Sequence, residues 1–227
     1  MEKEIGKICA EGLAFFGITN RLISHELKNI LAIISETLGL IDELIKSSQT
    51  GLDLKPGQLS SLSESVIEEI ERANSIIRNM NTFAHSVDEF MGEVDISRIL
   101  SLMIGICRLN SASKNTKLRL VDNGPCVIYT SPLFLQKLLY QVINFSLPFV
   151  SPQHEIKVSF DSDDHGARII FSGISCNNIK ELNEKEAWLA KMLSAKVFLD
   201  ATAGELSIAL PKRIGESPLQ SLISEWQ

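Results

Sequence analysis

Apolar residues over the first part of the chain recur at alternating spacings of three and four, the period of an amphipathic helix in a bundle. We predict one helix over residues 8–48. A helix that is apolar on two sides must bury two sides, so we expect one to face an intrachain partner and the other a second chain. The main stripe contains Leu13, Phe16, Asn20, Ile23, Leu27, Ile30, Ile34, Thr37, Ile41 and Leu44, and a second stripe contains Leu22, Leu31, Leu38 and Ile45.

The pattern breaks at residues 47–58, which are rich in turn-forming residues, and a second helical pattern occupies residues 58–90. Two long helices joined by a short polar loop predict an antiparallel hairpin. Such a hairpin exposes too much apolar surface on its own. We therefore expect a homodimer in which two hairpins form a four-helix bundle.

Beyond Gly92 the long helical pattern gives way to shorter segments with helical or alternating patterns, which predicts an α+β domain. The turn sequence Asp163-Asp164-His165-Gly166 predicts a β-hairpin. We divide the chain into a helical-hairpin domain at residues 1–91 and a mixed domain at residues 92–227. The predicted helices of the second domain lie at 95–113, 131–147 and 184–194, and its strands at 117–121, 126–129, 156–161, 167–171, 195–200 and 205–210.

Composition narrows the class of protein. Of 227 residues, 44% are hydrophobic and 22% are charged, which is typical of a globular chain, and the net charge of −6 disfavours bulk binding to nucleic acid. The four cysteines are widely separated, so we expect neither a zinc site nor disulfides. This pattern fits a protein of the reducing cytoplasm. The longest apolar run of the first helix, residues 30–34, is far shorter than the ~20 residues of a membrane span.

The candidate chemistry lies at Ser24-His25-Glu26-Leu27-Lys28-Asn29. If Ile23 faces the core, His25 lies about 200° around the helix and faces solvent. Asn29, four residues later, lies on the same face. A lone helical histidine is usually an ordinary residue, but an adjacent acid and an amide one turn later suit phosphoryl chemistry. Two further residues share this face, Lys28 and Ala32.

The sequence at these positions resembles a known family. Residues 23–34, Ile-Ser-His-Glu-Leu-Lys-Asn-Ile-Leu-Ala-Ile-Ile, resemble the H-box of bacterial sensor histidine kinases, and the hairpin resembles their dimerisation and phosphotransfer domain. Residues 131–143 resemble the helix that carries the kinase N-box. Residues 188–199 and 206–211 resemble the end of the ATP-binding domain. The resemblance implies that the second domain is a degenerate, Bergerat-like ATPase sandwich.

The resemblance also implies a role for each candidate residue. His25 would be the nucleophile that holds the phosphoryl group on a ring nitrogen. Glu26 would orient the imidazole and raise the basicity of the attacking nitrogen. Asn29 matches the family position that aligns a water for hydrolysis of a partner's aspartyl phosphate. Lys28 would offset phosphate charge, and Ala32 would leave space for the partner, a response-regulator receiver domain that brings its own aspartate and magnesium.

The departures from the family concern the nucleotide. Phe145 stands where the family has its magnesium-binding asparagine, and Asn144 is one residue out of register, about 100° around the helix. Residues 171–175 replace the acid and glycines that hold adenine, and residues 184–188 replace the second glycine box. The short segment 173–183 leaves no room for an ATP lid. Because ATP needs backbone amides, a cation and a metal-binding group at its phosphates, we expect no cofactor and no metal site in this chain.

Three functions stay open at this point. The first is a homodimeric histidine phosphotransferase in a two-component phosphorelay, passing phosphoryl groups between His25 and receiver-domain aspartates without autokinase activity; its candidate partners include a hybrid histidine kinase. The second is a pseudokinase adaptor or response-regulator phosphatase that acts by binding. The third is a sensor histidine kinase with a diverged ATP site, which Phe145 argues against.

Overall fold

The computed structural model describes residues 2–50, 55–110, 115–121, 123–151, 155–175, 184–200 and 202–215. Its N-terminal part consists of two long helices, α1 (Glu2–Gln49) and α2 (Gln58–Ala84). Phe15 of α1 contacts Phe83 near the end of α2, whereas Glu26 contacts Arg72 about three turns earlier on α2. The two helices are therefore antiparallel, and the predicted hairpin is confirmed.

The core of the hairpin is narrow because two helices enclose a single seam. Ile23, Ile30 and Ile76 are its buried members, and Ile34 packs against them at a half-buried position. The second stripe predicted for α1 lies outside this seam. Several large apolar side chains of the hairpin are exposed in the single chain, namely Leu31, Leu38, Ile45, Ile67, Ile70 and Ile77.

The second part of the chain alternates short strands and helices. Its strands are β1 (Gly92–Asp95), β2 (Lys117–Leu120), β3 (Val127–Thr130), β4 (Glu155–Asp163), β5 (Gly166–Ser172), β6 (Lys196–Asp200) and β7 (Glu205–Pro211). Its α-helices are α3 (Ile96–Cys107), α4 (Pro132–Ser146) and α5 (Glu184–Met192). Short 3₁₀ turns, His85–Val87 and Leu147–Phe149, follow α2 and α4.

Five strands form one mixed sheet in the order β2-β4-β5-β7-β6. The β2–β4 pair is parallel, and the other pairs of this sheet are antiparallel. Alternate residues along the central strands are buried, for example Val158 on β4, Ile169 on β5 and Ile208 on β7, as expected for a sheet covered on one face. Residues of α3, α4 and α5 complete the same core, so this part is an α+β layer structure.

The predicted elements are present, together with one strand that was not predicted and two helices that end earlier than predicted. Strand β1, which pairs antiparallel with β3, was not predicted, because a four-residue strand that begins at Gly92 carries little alternation. Helix α2 ends at Ala84 rather than near residue 90, because the chain tightens into a 3₁₀ turn in which Ser86 Oγ donates to the Phe83 carbonyl at 2.6 Å. Helix α3 ends at Cys107 rather than at residue 113.

The root of the hairpin, where the start of α1 lies beside the end of α2, packs directly against the second part of the chain. Phe15 lies 5.5 Å, between ring centroids, from both Phe83 and Tyr140 of α4. Lys137 of α4, which is 4% exposed, donates to the backbone carbonyl of Glu11 at 2.7 Å and also contacts its carboxylate. One buried core thus spans both parts, and the division at residues 91 and 92 stays a prediction.

Candidate phosphotransfer site

His25 lies on the exposed face of α1, two residues after buried Ile23. Helical geometry places the inward positions at intervals of three and four, so the residues between them face outward. Lys28 and Ala32 are exposed, and Asn29 is half-buried at the edge of this face. The structure therefore brings together the predicted site residues along two turns of one helix. Their catalytic and docking roles stay predictions.

Glu26 differs from its neighbours because it points inward. It is 3% exposed, and its carboxylate contacts Arg72 of α2 through one oxygen and Asn29 through the other. The Asn29 Nδ2 atom donates to Glu26 Oε2 at 3.1 Å and lies 3.3 Å from Nδ1 of His25. Glu26 thus reaches the imidazole through Asn29, whereas the sequence led us to expect that it would orient the ring itself.

The Glu26–Arg72 ion pair determines the electrostatics beneath the histidine. The Glu26 side chain is 4% exposed and that of Arg72 is 46% exposed. A buried carboxylate is costly unless it is paired and hydrogen-bonded, and here both oxygens have donors. Arg72 also donates to Glu69 at 3.3 Å, which holds the guanidinium along α2. The negative charge next to His25 is thereby neutralised from the other helix of the hairpin.

Sequence reasoning missed Arg72. The residue lies 46 positions from Glu26 in the chain, so no local motif connects the two. A usable signal did exist, because Ala73 and Ile76 mark the buried seam of α2 and place Arg72 beside it. An arginine beside the seam of an antiparallel hairpin is a natural partner for an inward-facing glutamate on the facing helix.

The region that the resemblance assigned to nucleotide is occupied by contacts within the chain. Asn144 Nδ2 donates to the Tyr140 carbonyl at 2.7 Å, and its Oδ1 accepts from Asn110 Nδ2 at 2.6 Å. The Phe145 ring packs against the Phe149 ring, with centroids 5.7 Å apart. Both the side-chain nitrogen and the side-chain oxygen of Asn144 are therefore hydrogen-bonded within the chain. The next residue, Phe145, is aromatic and cannot bind a metal ion.

The segment after β5 is also closed by backbone pairing. Gly173 accepts from the Ser151 amide at 2.9 Å, and its φ of 92° is one that residues other than glycine rarely adopt. A Cβ there would lie 2.3 Å from the Glu155 carbonyl oxygen. Ser175 N donates to the Phe149 carbonyl at 2.6 Å. The predicted loss of the lid falls largely on residues 176–183, which lie outside the described residues.

In the part of the chain that the structure describes, no group of three or more His, Cys, Asp or Glu residues is arranged to hold a metal ion. None of the described helices is both long enough and apolar enough to cross a membrane.

No protein-family model matches the chain, and no curated protein matches it. Among solved structures, it is similar to the ATP-binding domain of PrrB from Mycobacterium tuberculosis, at 17% identity and a TM-score of 0.42, over 54% of this chain and 98% of that domain. It is also similar to the histidine kinase AdeS from Acinetobacter baumannii, at 12% identity and a TM-score of 0.42, over 83% of this chain and 98% of that one.

A third similar structure is that of a bacterial phosphotransferase. It shares 13% identity with this chain at a TM-score of 0.46, and the match covers 86% of this chain and 95% of that one. Identities of this size transfer no activity from one protein to another. The proposed function therefore rests on the side chains around His25.

Proposed function

We propose that this protein is a homodimeric histidine phosphotransferase of a two-component phosphorelay, which passes a phosphoryl group between His25 and receiver-domain aspartates without ATP-dependent autokinase activity. The observation that carries the proposal is the exposed His25 on α1, beside an Asn29 amide anchored by the Glu26–Arg72 ion pair. An exposed imidazole on a rigid helix is accessible to a second protein and is a nucleophile near neutral pH.

In the proposed step, a ring nitrogen of His25 attacks the phosphorus of a partner's aspartyl phosphate. The N–P bond forms, the bond between phosphorus and the aspartyl carboxyl oxygen breaks, and the carboxylate leaves with the electron pair. The reverse step returns the phosphoryl group to an aspartate. The magnesium that such a step uses is expected on the receiver domain. Lys28 and Ala32, both exposed, supply a positive charge and a small side chain where the partner would dock.

The absence of autokinase activity is supported by the contacts of α4. Asn144 is bonded to Asn110 and to the Tyr140 carbonyl, and Phe145 packs on Phe149. A phosphate-bound magnesium would need an oxygen or amide ligand where an aromatic ring now lies. A phosphotransferase needs no nucleotide of its own, so this closed region is compatible with the proposed activity.

The proposed homodimer is supported by the exposed apolar side chains of the hairpin, including Leu31, Leu38 and Ile70. Exposed apolar surface of this extent along two helices commonly marks an interface. A second hairpin would cover these side chains in a four-helix bundle and would present two His25 sites per dimer.

A second candidate function, a response-regulator phosphatase, is favoured by the unused end of Asn29. Its Nδ2 atom is shared between Glu26 and His25, whereas no described residue donates to its Oδ1 atom. That oxygen could accept a hydrogen bond from a water that attacks an aspartyl phosphate. The two functions share one site and differ in whether the imidazole or a water receives the phosphoryl group.

The test is to incubate the protein with receiver domains from the same source that carry a labelled aspartyl phosphate, and to follow the label. We expect label on the wild-type chain, none on His25→Ala, and label on Asn29→Ala. For a phosphatase, label would appear as free phosphate, and Asn29→Ala would be the inactive variant. Partner binding without any movement of label, unchanged in His25→Ala, would favour the adaptor and contradict both proposals.

A further inference from the structure

Four side chains form a continuous chain of contacts from α2 to the imidazole. Arg72 contacts Glu26 Oε1, Glu26 Oε2 accepts from Asn29 Nδ2 at 3.1 Å, and the same Nδ2 lies 3.3 Å from Nδ1 of His25. Three of these residues belong to α1, and Arg72 is the one member from α2. The ring of His25 is therefore oriented from the other helix.

The donors and acceptors in this chain assign the ring nitrogens. An ionised carboxylate only accepts hydrogen bonds, so the amide nitrogen of Asn29, and not its oxygen, must face Glu26. The second hydrogen of that nitrogen then points toward Nδ1 of His25. A nitrogen that faces a donor must carry its lone pair there, so Nδ1 is the acceptor, and Nε2, the ring nitrogen remote from Asn29, carries the proton of the neutral ring.

We propose that Arg72 is a positioning residue for His25. Through Glu26 it holds the Asn29 amide against Nδ1, which leaves Nε2 as the ring nitrogen open to a partner and prolongs the lifetime of a phosphoryl group bound there. This inference rests on the proposed phosphotransfer function, and it adds to it a residue of α2 that sets the lifetime of the phosphohistidine.

The proton balance shows in which states of the ring the hydrogen bond from Asn29 exists. Before attack, the free ring exchanges its proton with solvent, so that Nε2 is unprotonated and Nδ1 carries the proton. Nε2 then bonds to phosphorus as the partner's acyl P–O bond breaks, and Nδ1 releases its proton to solvent. In the phosphorylated ring Nδ1 is again an acceptor, and the hydrogen bond from Asn29 re-forms.

The same hydrogen bond opposes the loss of the phosphoryl group to water. A phosphohistidine hydrolyses faster when its other ring nitrogen is protonated, because the ring then leaves as neutral imidazole. A proton on Nδ1 would face the Asn29 N–H, so protonation of Nδ1 would break this hydrogen bond and is disfavoured. Arg72 holds the Glu26 carboxylate in place, and that carboxylate holds the Asn29 amide. Glu69 in turn accepts a hydrogen bond of 3.3 Å from the Arg72 guanidinium.

The geometry is tested by ¹⁵N NMR of the His25 ring nitrogens in the full chain at about pH 8, where an ordinary imidazole is neutral. We expect one tautomer in the wild type, with the proton on Nε2, and a mixture in Arg72→Ala. Arg72→Lys should restore much of the wild-type signature. Arg78→Ala removes an exposed arginine of the same helix and should match the wild type.

The lifetime is tested after phosphorylation of the same proteins with phosphoramidate, which needs no partner. We expect phosphate on Nε2 and a half-life in Arg72→Ala about fivefold shorter than in the wild type, the factor that corresponds to one hydrogen bond of about 1 kcal/mol. If Arg72→Ala does not fold, Asn29→Ala supplies the comparison, because it removes the same donor at a half-exposed position and spares the ion pair.

Identical ring spectra and half-lives in the wild type, Arg72→Ala and Asn29→Ala would overturn the inference, and so would phosphate on Nδ1. Neither measurement uses a receiver domain. Failure of transfer from a receiver, with the expected spectra and half-lives, would therefore contradict the proposed function alone. Intact transfer with unchanged spectra would contradict the positioning role alone.

Discussion

Arg72 of α2 forms an ion pair with Glu26 of α1, the residue that follows His25 in the chain. The glutamate side chain is 4% exposed, and the guanidinium remains 46% exposed. The pair therefore connects the two helices of the hairpin immediately beneath the candidate nucleophile. Its loss would affect both the stability of the hairpin and the orientation of the imidazole.

Replacing Arg72 with Ala should lower the free energy of unfolding by about 1–3 kcal/mol. That is below the ~3–5 kcal/mol typical of fully buried pairs, because Arg72 is half-exposed. Urea unfolding monitored by circular dichroism measures the change. Arg78→Ala, at an exposed position of the same helix, should stay within about 0.5 kcal/mol of the wild type. Equal effects of the two substitutions would show that the Glu26 pair contributes nothing specific.

Replacing Lys137 with Ala should loosen the root of the hairpin. The Lys137 side chain is 5% exposed and contacts both the carbonyl and the carboxylate of Glu11, so we expect a loss of about 2–4 kcal/mol. Lys46→Ala is the matched control, because its ion pair with Asp42 is exposed and should contribute nothing measurable. If Lys46→Ala destabilises the protein as much as Lys137→Ala does, the contact between Lys137 and Glu11 has no specific role in stabilising the packing of α1 on α4.

The proposed dimer predicts that one charge on the second stripe of α1 separates the two chains. Leu38 is 50% exposed in the single chain, so Leu38→Glu should leave the monomer folded while placing a charge in the proposed interface. Analytical ultracentrifugation should show a dimer for the wild type and a monomer for Leu38→Glu. Glu36→Lys changes an exposed charge on the opposite side of α1 and should remain dimeric. A wild-type monomer at micromolar concentration would contradict the proposed assembly.

The long hairpin could be predicted from sequence because its evidence is local and repeated. Apolar residues at spacings of three and four define α1 and α2, and the same periodicity places His25 outside and Ile23 inside, as the structure shows. The pattern did not reveal the partner of Glu26. That partner depends on the register between two helices, and the register is fixed by contacts such as Phe15 with Phe83.

In the second part of the chain, periodicity predicted the strands and helices but not the use of individual polar groups. Asn144 has the residue type of a metal ligand, yet its amide is bonded to Asn110 and to the Tyr140 carbonyl. The turn at Ser86 and the short strand β1 depend on single hydrogen bonds and on pairing with β3. Such features follow from tertiary packing and leave little trace in a sequence pattern.

The closed region on α4 predicts no saturable binding of ATP with magnesium at millimolar concentration in a calorimetric titration. Phe145→Asn alone should not create binding, because Asn144 and the segment around Gly173 remain engaged in contacts within the chain. An active histidine kinase domain titrated under the same conditions is the positive control. Saturable binding by the wild type, or label on His25 after incubation with ATP alone, would support the kinase interpretation instead.

The most direct test of the central claim is a relay between two receiver domains. One receiver carries a labelled aspartyl phosphate, the second is unlabelled, and catalytic amounts of the protein connect them. The account predicts that label reaches the second receiver with the wild-type protein and does not reach it with His25→Ala, although His25→Ala folds normally because the residue is exposed. Transfer of label that persists in His25→Ala, or no transfer by the wild type to any receiver from the same source, would contradict it.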